Sequence, residues 1–253
     1  MENLNELIYV KSNGSKSVFC NERSNTIMIS DSKSIMSPND IIKYSHIETN
    51  DKYSKYSTMS MVVTDVTTIC PYDNNDYEKY IKNKTNKLQE ETPEIYQQLY
   101  PEIIKKDKLW IYNIIEGISE QEKIIYQDDN FVLLPDYNWP QNSTNLLDMH
   151  YLVIVKRKDL LSIRDLTNDH IKLLQDIDNI SKFTISNKHN IDPLTIRSFV
   201  HYYPTFWHFH IHFDLINSYH IVPLHRCHLL HNIIINLKIK SDYYKEVILL
   251  TVV

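Results

Sequence analysis

Trp207-His208-Phe209-His210-Ile211-His212-Phe213 alternates histidines with apolar residues. Side chains along a β-strand alternate faces with period two. On a strand, His208, His210 and His212 share one face, while Phe209, Ile211 and Phe213 point into a core. Three consecutive imidazoles on one face make a poor core, and they point to phosphate chemistry or to a metal. Around it, Ile196 to Tyr202 and Trp207 to Ile216 read as two strands joined by a short loop at Tyr203-Pro204-Thr205.

The rest of the chain bounds the possibilities. The formal net charge is −5, which argues against non-specific binding to a long nucleic-acid backbone, since that needs a basic surface. A short nucleotide ligand needs only a local basic or histidine-lined pocket. Gly14 and Gly117 are the only 2 glycines, too few for a GxGxxG turn or a GxxxxGK[ST] phosphate loop. Cys20, Cys70 and Cys227 are scattered and form no CxxC pattern or disulfide framework, as suits a reducing intracellular compartment. Met1 to Leu7 lacks a basic n-region and a long apolar run, so no secretory signal is expected. No stretch approaches the length of a membrane span, and no membrane partner is expected. The expected location is cytoplasmic, with the nucleus as a second compartment.

The chain reads as α+β. Residues 1 to about 70 carry short β-type runs such as Thr26–Ser30 and Ser60–Thr64 between polar loops. Tyr77 to Lys106 reads as helices interrupted at Pro93 and Pro101, and Leu109 to Ile125 as a helix with Trp110, Ile114, Ile115 and Ile118 at helical spacing. Phe131–Leu134, ending at Pro135, and Tyr151–Val155 read as buried strands. Thr167 caps a helix that runs to about Ser186. His225 to Lys238 reads as a final helix, and Val247 to Val253 as a final strand. A boundary near residue 105 divides residues 1–105 from residues 106–253.

Three readings of the histidine strand stand side by side. The imidazoles are inert, or they bind a metal, or one of them is a nucleophile. Asp214 on the same face and His201 on the preceding strand would enlarge a metal site. In the third reading, a neutral imidazole attacks phosphorus and forms a phosphoramidate, splitting one hard step into two. That requires an acceptor for the other ring nitrogen, and donors for the developing phosphate charge.

His208 to Phe213 resembles the HxHxHxx signature of the histidine triad nucleotide hydrolases. Four further segments are similar to the scavenger mRNA decapping branch of that superfamily. They are His201-Tyr202-Tyr203-Pro204, Phe131-Val132-Leu133-Leu134-Pro135-Asp136, Ser162-Ile163-Arg164-Asp165-Leu166-Thr167 and Arg226-Cys227-His228-Leu229-Leu230. The resemblance is good from about Trp110 onward, thin but traceable from there back to about Pro71, and barely traceable over residues 1–70.

It implies an N-terminal α+β dimerisation and lid domain over 1–105, a C-terminal histidine triad domain of antiparallel sheet and helices over 106–253, and a homodimer. It implies hydrolysis of 7-methylguanosine cap dinucleotides and short capped RNA fragments to 7-methyl-GMP and a nucleoside diphosphate, with no cofactor and no metal. By the same resemblance His210 is the nucleophile. His208 and His212 flank it, His201 lies beside the phosphates, and Arg226 and Lys79 neutralise bridge charge. Trp110 and Tyr137 sandwich the charged base, whose cationic ring favours aromatic faces. Glu120 and Asp136 accept from its edge. Asn138 stands where the family has lysine, and Thr205-Phe206-Trp207 replace a Ser-Tyr-Tyr pattern, with Thr205 keeping the hydroxyl. The alternatives are a histidine triad hydrolase of unmethylated dinucleoside polyphosphates and a cap-binding module without turnover.

Overall fold

The computed structural model describes the chain except for residues 1–7, 14–15, 31–42, 51, 60–62, 82–86, 138, 140–144, 220–223 and 253. It divides into two compact units, Met1–Thr85 and Asn86–Val253.

The first unit is a six-stranded antiparallel sheet. Its strands are β1 (Ile8–Asn13), β2 (Lys16–Asn21), β3 (Thr26–Ser30), β4 (Lys43–Asn50), β5 (Tyr53–Met59) and β6 (Val63–Ile69), in the order β1-β2-β3-β6-β5-β4. The Thr26–Ser30 run is thus the strand its β-branched residues suggest. Of the run expected at Ser60–Thr64, residues 60–62 lie outside the described residues, and β6 begins at Val63. Val18, Cys20, Ile27, Ile29 and Ile69 form the core of this sheet. A short helix, α1 (Asn74–Asp76), follows. Its first turn is closed by Asp73, whose Oδ1 accepts from the backbone N–H groups of Asn75 and Asp76.

The second unit begins with β7 (Leu88–Glu91), followed by α2 (Pro93–Lys105) and α3 (Leu109–Ile115). The stretch from Tyr77 to Lys106 contains a strand as well as helix, because β7 pairs with β14 (Leu249–Val252). Pro93 opens α2 instead of interrupting it, since an N–H is not missed in a first turn, and Pro101 sits inside the helix. The helix from Leu109 stops at Ile115 and does not run to Ile125. Gly117 takes a φ of +79°, and the N–H groups of Ile118 and Ser119 both turn back to the Asn113 carbonyl.

The main sheet of this unit is antiparallel and runs β13-β11-β12-β10-β9-β8. Its strands are β8 (Tyr126–Gln127), β9 (Phe131–Pro135), β10 (His150–Val155), β11 (Ile196–His201), β12 (His210–Leu215) and β13 (Cys227–Leu229). Opposite pairs Leu152↔His212 and Ile154↔His210, with Phe199↔His212 on the other side, fix the register.

One sheet face therefore carries Tyr151, Val153, Phe209, Ile211 and Phe213. It packs on Leu174, Ile177 and Ile185 of α4 (Ile171–His189) and on Leu230, Ile233 and Leu237 of α5 (Leu230–Ile239). The other face carries Leu152, Ile154, His210 and His212. Over its β9–β10 half it is covered by Ile111 and Ile114 of α3. A one-residue slip would exchange the two sets, so the apolar alternation specifies this register firmly.

Two further boundaries differ from expectation. The triad strand starts at His210, not Trp207. The Phe209 N–H donates to the Leu160 carbonyl (2.9 Å) and the His208 N–H to the Phe206 carbonyl (3.1 Å), so the chain is still turning there. The final helix starts at Leu230, because Cys227–Leu229 first extends the sheet by pairing with Phe199–His201. At α4, Thr167 does open the helical region, its N–H donating to His170 Nδ1 at 2.9 Å. Among the described residues no helix is long and apolar enough to cross a membrane.

Candidate active site

His210 sits at the first position of β12 and is almost wholly buried. Its Nδ1 lies 2.7 Å from the carbonyl oxygen of His208. A carbonyl only accepts, so Nδ1 carries the proton and Nε2 keeps its lone pair. Burial pushes the imidazole's pKa down to about 4, and the Arg226 charge acts in the same direction. The bond to His208 and the Asp136 carboxylate oppose this without overcoming it. The ring is thus neutral at pH 7 and presents one defined nucleophilic nitrogen.

The sign of the pH dependence follows. Protonation removes the lone pair, so the acid limb set by this group falls as pH drops through about 4. An NMR titration of the His210 ring should find its midpoint well below the ordinary histidine value of about 6.5. A midpoint at or above that value would show the ring to be solvated or charge-paired instead.

The neighbours divide the labour. His208 is buried, and its Nε2 is 2.6 Å from the Val155 carbonyl, so its single N–H is used there. In its neutral form it has no second N–H to offer a phosphate, and it acts on His210 through its backbone carbonyl. His212 stacks on Phe199 (5.3 Å, 18°) and lies 5.0 Å from His210 and 4.7 Å from His201, ring centre to ring centre. Arg226 is half-buried, and its guanidinium donates to the Tyr203 carbonyl through Nε (3.1 Å) and Nη2. Burial lowers its pKa from the ordinary guanidinium value.

On the α3 side, Trp110 meets Phe206 edge-on at 4.9 Å, and Phe206 stacks on His210 at 3.9 Å and 23°. Phe206 therefore links the expected base-stacking tryptophan to the expected nucleophile. The departure from the Ser-Tyr-Tyr pattern at Phe206 thus supplies a packing contact on both sides. Asp136 follows β9 and is buried, with Oδ2 3.8 Å from His212 Nδ1. Next to it, Tyr137 is exposed, as is Thr205 in the loop before His210.

Three expected residues remain, Glu120, Asn138 and Lys79. Glu120 has a left-handed φ of +55°, and its carboxylate faces Lys123 at 3.3 Å. Among the described residues no hydrogen bond or ring contact joins it to Trp110. Asn138 lies outside the described residues. Lys79 belongs to the first unit, and its side chain lies outside what is described.

Of the two residues expected to enlarge a metal site, His201 lies beside His212 and Asp214 is committed elsewhere. Asp214 is fully buried and holds Arg197 through a two-point contact (2.5 and 2.9 Å). The carboxylate beside His212 is Asp136, and the added histidine is His150, whose Nε2 is 3.0 Å from His212 Nδ1. His150 is not among the residues that the sequence motifs pick out. Its only signal in the sequence is its place two residues before Leu152, on the face that β10 shares with the triad.

The family model described as "Scavenger mRNA decapping enzyme C-term binding" matches residues 109–241, which include both α3 and the histidine strand. An m7GpppX diphosphatase of Ascaris suum is 33% identical over 209 residues, covering 78% of this chain and 68% of the relative. The m7GpppX diphosphatase of Caenorhabditis elegans is 36% identical over 166 residues (62% of this chain, 52% of the relative). The human m7GpppX diphosphatase is 29% identical over 210 residues (78% and 61%). The chain thus spans from about half to two thirds of the length of these relatives. A solved structure, "Hnt3 in complex with DNA and guanosine", aligns with a TM-score of 0.30 at 20% identity over 44% of this chain and 60% of that one, too little to bear on the fold. The family match, which spans more than half of the chain and holds the whole histidine cluster, makes this protein a member of the scavenger mRNA decapping enzyme family.

Proposed function

We propose that this protein hydrolyses 7-methylguanosine cap dinucleotides and short capped RNA fragments by nucleophilic attack from His210. The observation that carries the reading is the His210 imidazole: buried, neutral, and held by the His208 carbonyl with Nε2 left to react.

In the proposed reaction, Nε2 attacks the phosphorus next to 7-methylguanosine. The bond from that phosphorus to the bridging oxygen breaks, and the nucleoside diphosphate leaves with the bond's electron pair. Water then attacks the phosphoramidate on His210 and releases 7-methyl-GMP, restoring the imidazole. His212, His201 and Arg226 are proposed to meet the charge that builds on the bridge. Trp110 is proposed to stack on the charged base, with Asp136 accepting from its edge. The active form is proposed to be a homodimer, and the reaction to need no metal.

The test is to incubate the full chain with a methylated cap dinucleotide in the presence of a chelator. The expected products are 7-methyl-GMP and a nucleoside diphosphate. Loss of activity with the chelator, or binding without product, would overturn the reading. Trp110→Ala should cut kcat/KM for the methylated analogue by roughly tenfold, as expected for a lost cation–π partner of about 1–2 kcal/mol. It should change the unmethylated analogue less. Equal losses on both analogues would remove Trp110 from base recognition.

A further inference from the structure

We propose that Asp136, His150 and His212 form a binding site for a divalent cation of the zinc class, and that the bound cation competes with the capped substrate. Three strands of the sheet build the cluster. His150 opens β10, and His212 lies diagonally across from it on β12, within the reach of long side chains in an antiparallel pair. Asp136 follows β9 and is tied to the same place, because its N–H donates to the His150 carbonyl at 2.9 Å.

The three ligand atoms form a compact triangle. His150 Nε2 and His212 Nδ1 are 3.0 Å apart, and Asp136 Oδ2 lies 4.0 Å from the first and 3.8 Å from the second. A point about 2.1 Å from all three atoms lies within that triangle, and zinc bonds to imidazole nitrogen and carboxylate oxygen are about 2.0–2.2 Å long. The site already has the dimensions of a coordination shell.

Its chemistry fits as well. Two imidazoles and one carboxylate are a borderline donor set. It suits zinc and its neighbours and not magnesium or calcium, which prefer an all-oxygen shell. With both rings neutral, the cluster carries one negative charge. The three residues are only 8%, 3% and 7% exposed, so water screens that charge poorly. Three protein ligands leave a fourth position for water or a phosphate oxygen. A cation here would replace the proton shared between His150 and His212.

The competition follows from the proposed function and rests on it. His212 lies 5.0 Å from the His210 ring, and Asp136 is the proposed acceptor for the base edge. A cation that holds both withdraws them from the substrate.

Direct binding is tested first, on the full chain. Zn2+ titration by calorimetry should saturate at one ion per chain, and Co2+ should give the visible absorption of a four- or five-coordinate site. Mg2+ should do neither. X-ray absorption of the zinc-loaded wild-type protein should show two imidazoles. His150→Leu removes a ligand. His150→Gln also does so while keeping an amide donor that can reach His212 Nδ1, so it guards against a folding failure in the first variant. Both should weaken binding more than about tenfold, while His231→Ala, on the exposed surface of α5, should not. Saturation absent at one ion per chain, or binding unchanged in His150→Gln, overturns the site.

Hydrolysis is the second arm. Zn2+ should raise KM for the methylated dinucleotide in the wild type, and the rise should shrink more than about tenfold in His150→Gln. One-to-one binding that leaves KM unchanged overturns the competition. Binding as expected in a protein that never cleaves the cap dinucleotide would leave the cation site standing and sink the proposed function. Cleavage with neither binding nor inhibition would do the reverse.

Discussion

His210→Asn should lower kcat on a methylated cap dinucleotide by about four orders of magnitude or more while leaving analogue affinity within about tenfold of wild type. Asparagine is close to histidine in size, and its amide can still donate to the His208 carbonyl that Nδ1 now reaches at 2.7 Å. The packing of Phe206 against Trp110 and the position of the loop before β12 should therefore persist. What disappears is the lone pair on Nε2. A side-chain amide is a very poor nucleophile toward phosphorus, so neither the phosphoramidate nor its hydrolysis remains available. Single-turnover cleavage measures the loss, and quenching of tryptophan fluorescence by a cap analogue measures the binding. Turnover within about tenfold of wild type would overturn the nucleophilic role, and loss of affinity in parallel with turnover would show that the substitution disturbs the pocket.

The second large effect is on stability. Arg164→Met should destabilise the second unit by about 3–5 kcal/mol, the cost of leaving a buried charge without its partner. Arg164 and Glu91 are both almost fully buried, with Nη2 3.2 Å from Oε1. The same guanidinium donates to the carbonyls of Tyr244 (2.6 Å), Val247 (2.7 Å) and Glu91 (3.0 Å), and its Nε donates to the Tyr202 hydroxyl (3.3 Å). One side chain thus joins β7, the segment leading into β14, and the start of the loop that carries Phe206 and His208. Burial already pushes the Glu91 carboxyl upward, with Arg164 and Tyr202 opposing the shift.

For a unit of this size, such a loss lowers Tm by roughly 10 °C. Arg164→Met combined with Glu91→Gln should recover much of the deficit, because the stranded charge goes with it. Thermal unfolding followed by circular dichroism reads both. A single variant that melts within about 2 °C of wild type would show the pair to contribute little.

The regular parts of the second unit were legible because their periodicity is local. Phe131–Leu134 and Tyr151–Val155 are apolar runs of strand length, and both form buried strands. The stripe of Leu174 and Ile177 in α4 packs on the core as its spacing requires. The failures have non-local causes. Leu88–Glu91 has no strand pattern of its own and becomes one because Leu249–Val252 lies alongside it. Cys227–Leu229 extends the sheet because Phe199–His201 leaves an edge to pair with. Leu109–Ile115 stops short because Gly117 adopts a positive φ and turns the Ile118 and Ser119 N–H groups back onto the Asn113 carbonyl, a backbone choice that an apolar stripe does not encode.

By itself, the sequence determined that one strand face would carry histidines, since alternation with Phe209, Ile211 and Phe213 leaves the core no other side to take. It also singled out His210 as the central ring. Only the tertiary structure decided what each ring does. The turn at Trp207–Phe209 takes His208 out of the ladder and aims its N–H at Val155, while its carbonyl sets the tautomer of His210. The pairing of β10 with β12 brings His150 to His212, and the end of β9 delivers Asp136 to both. Strand period is a property of neighbouring residues, whereas tautomer, desolvation and ligand geometry depend on atoms that strand pairing brings together from as many as 76 positions apart in the chain.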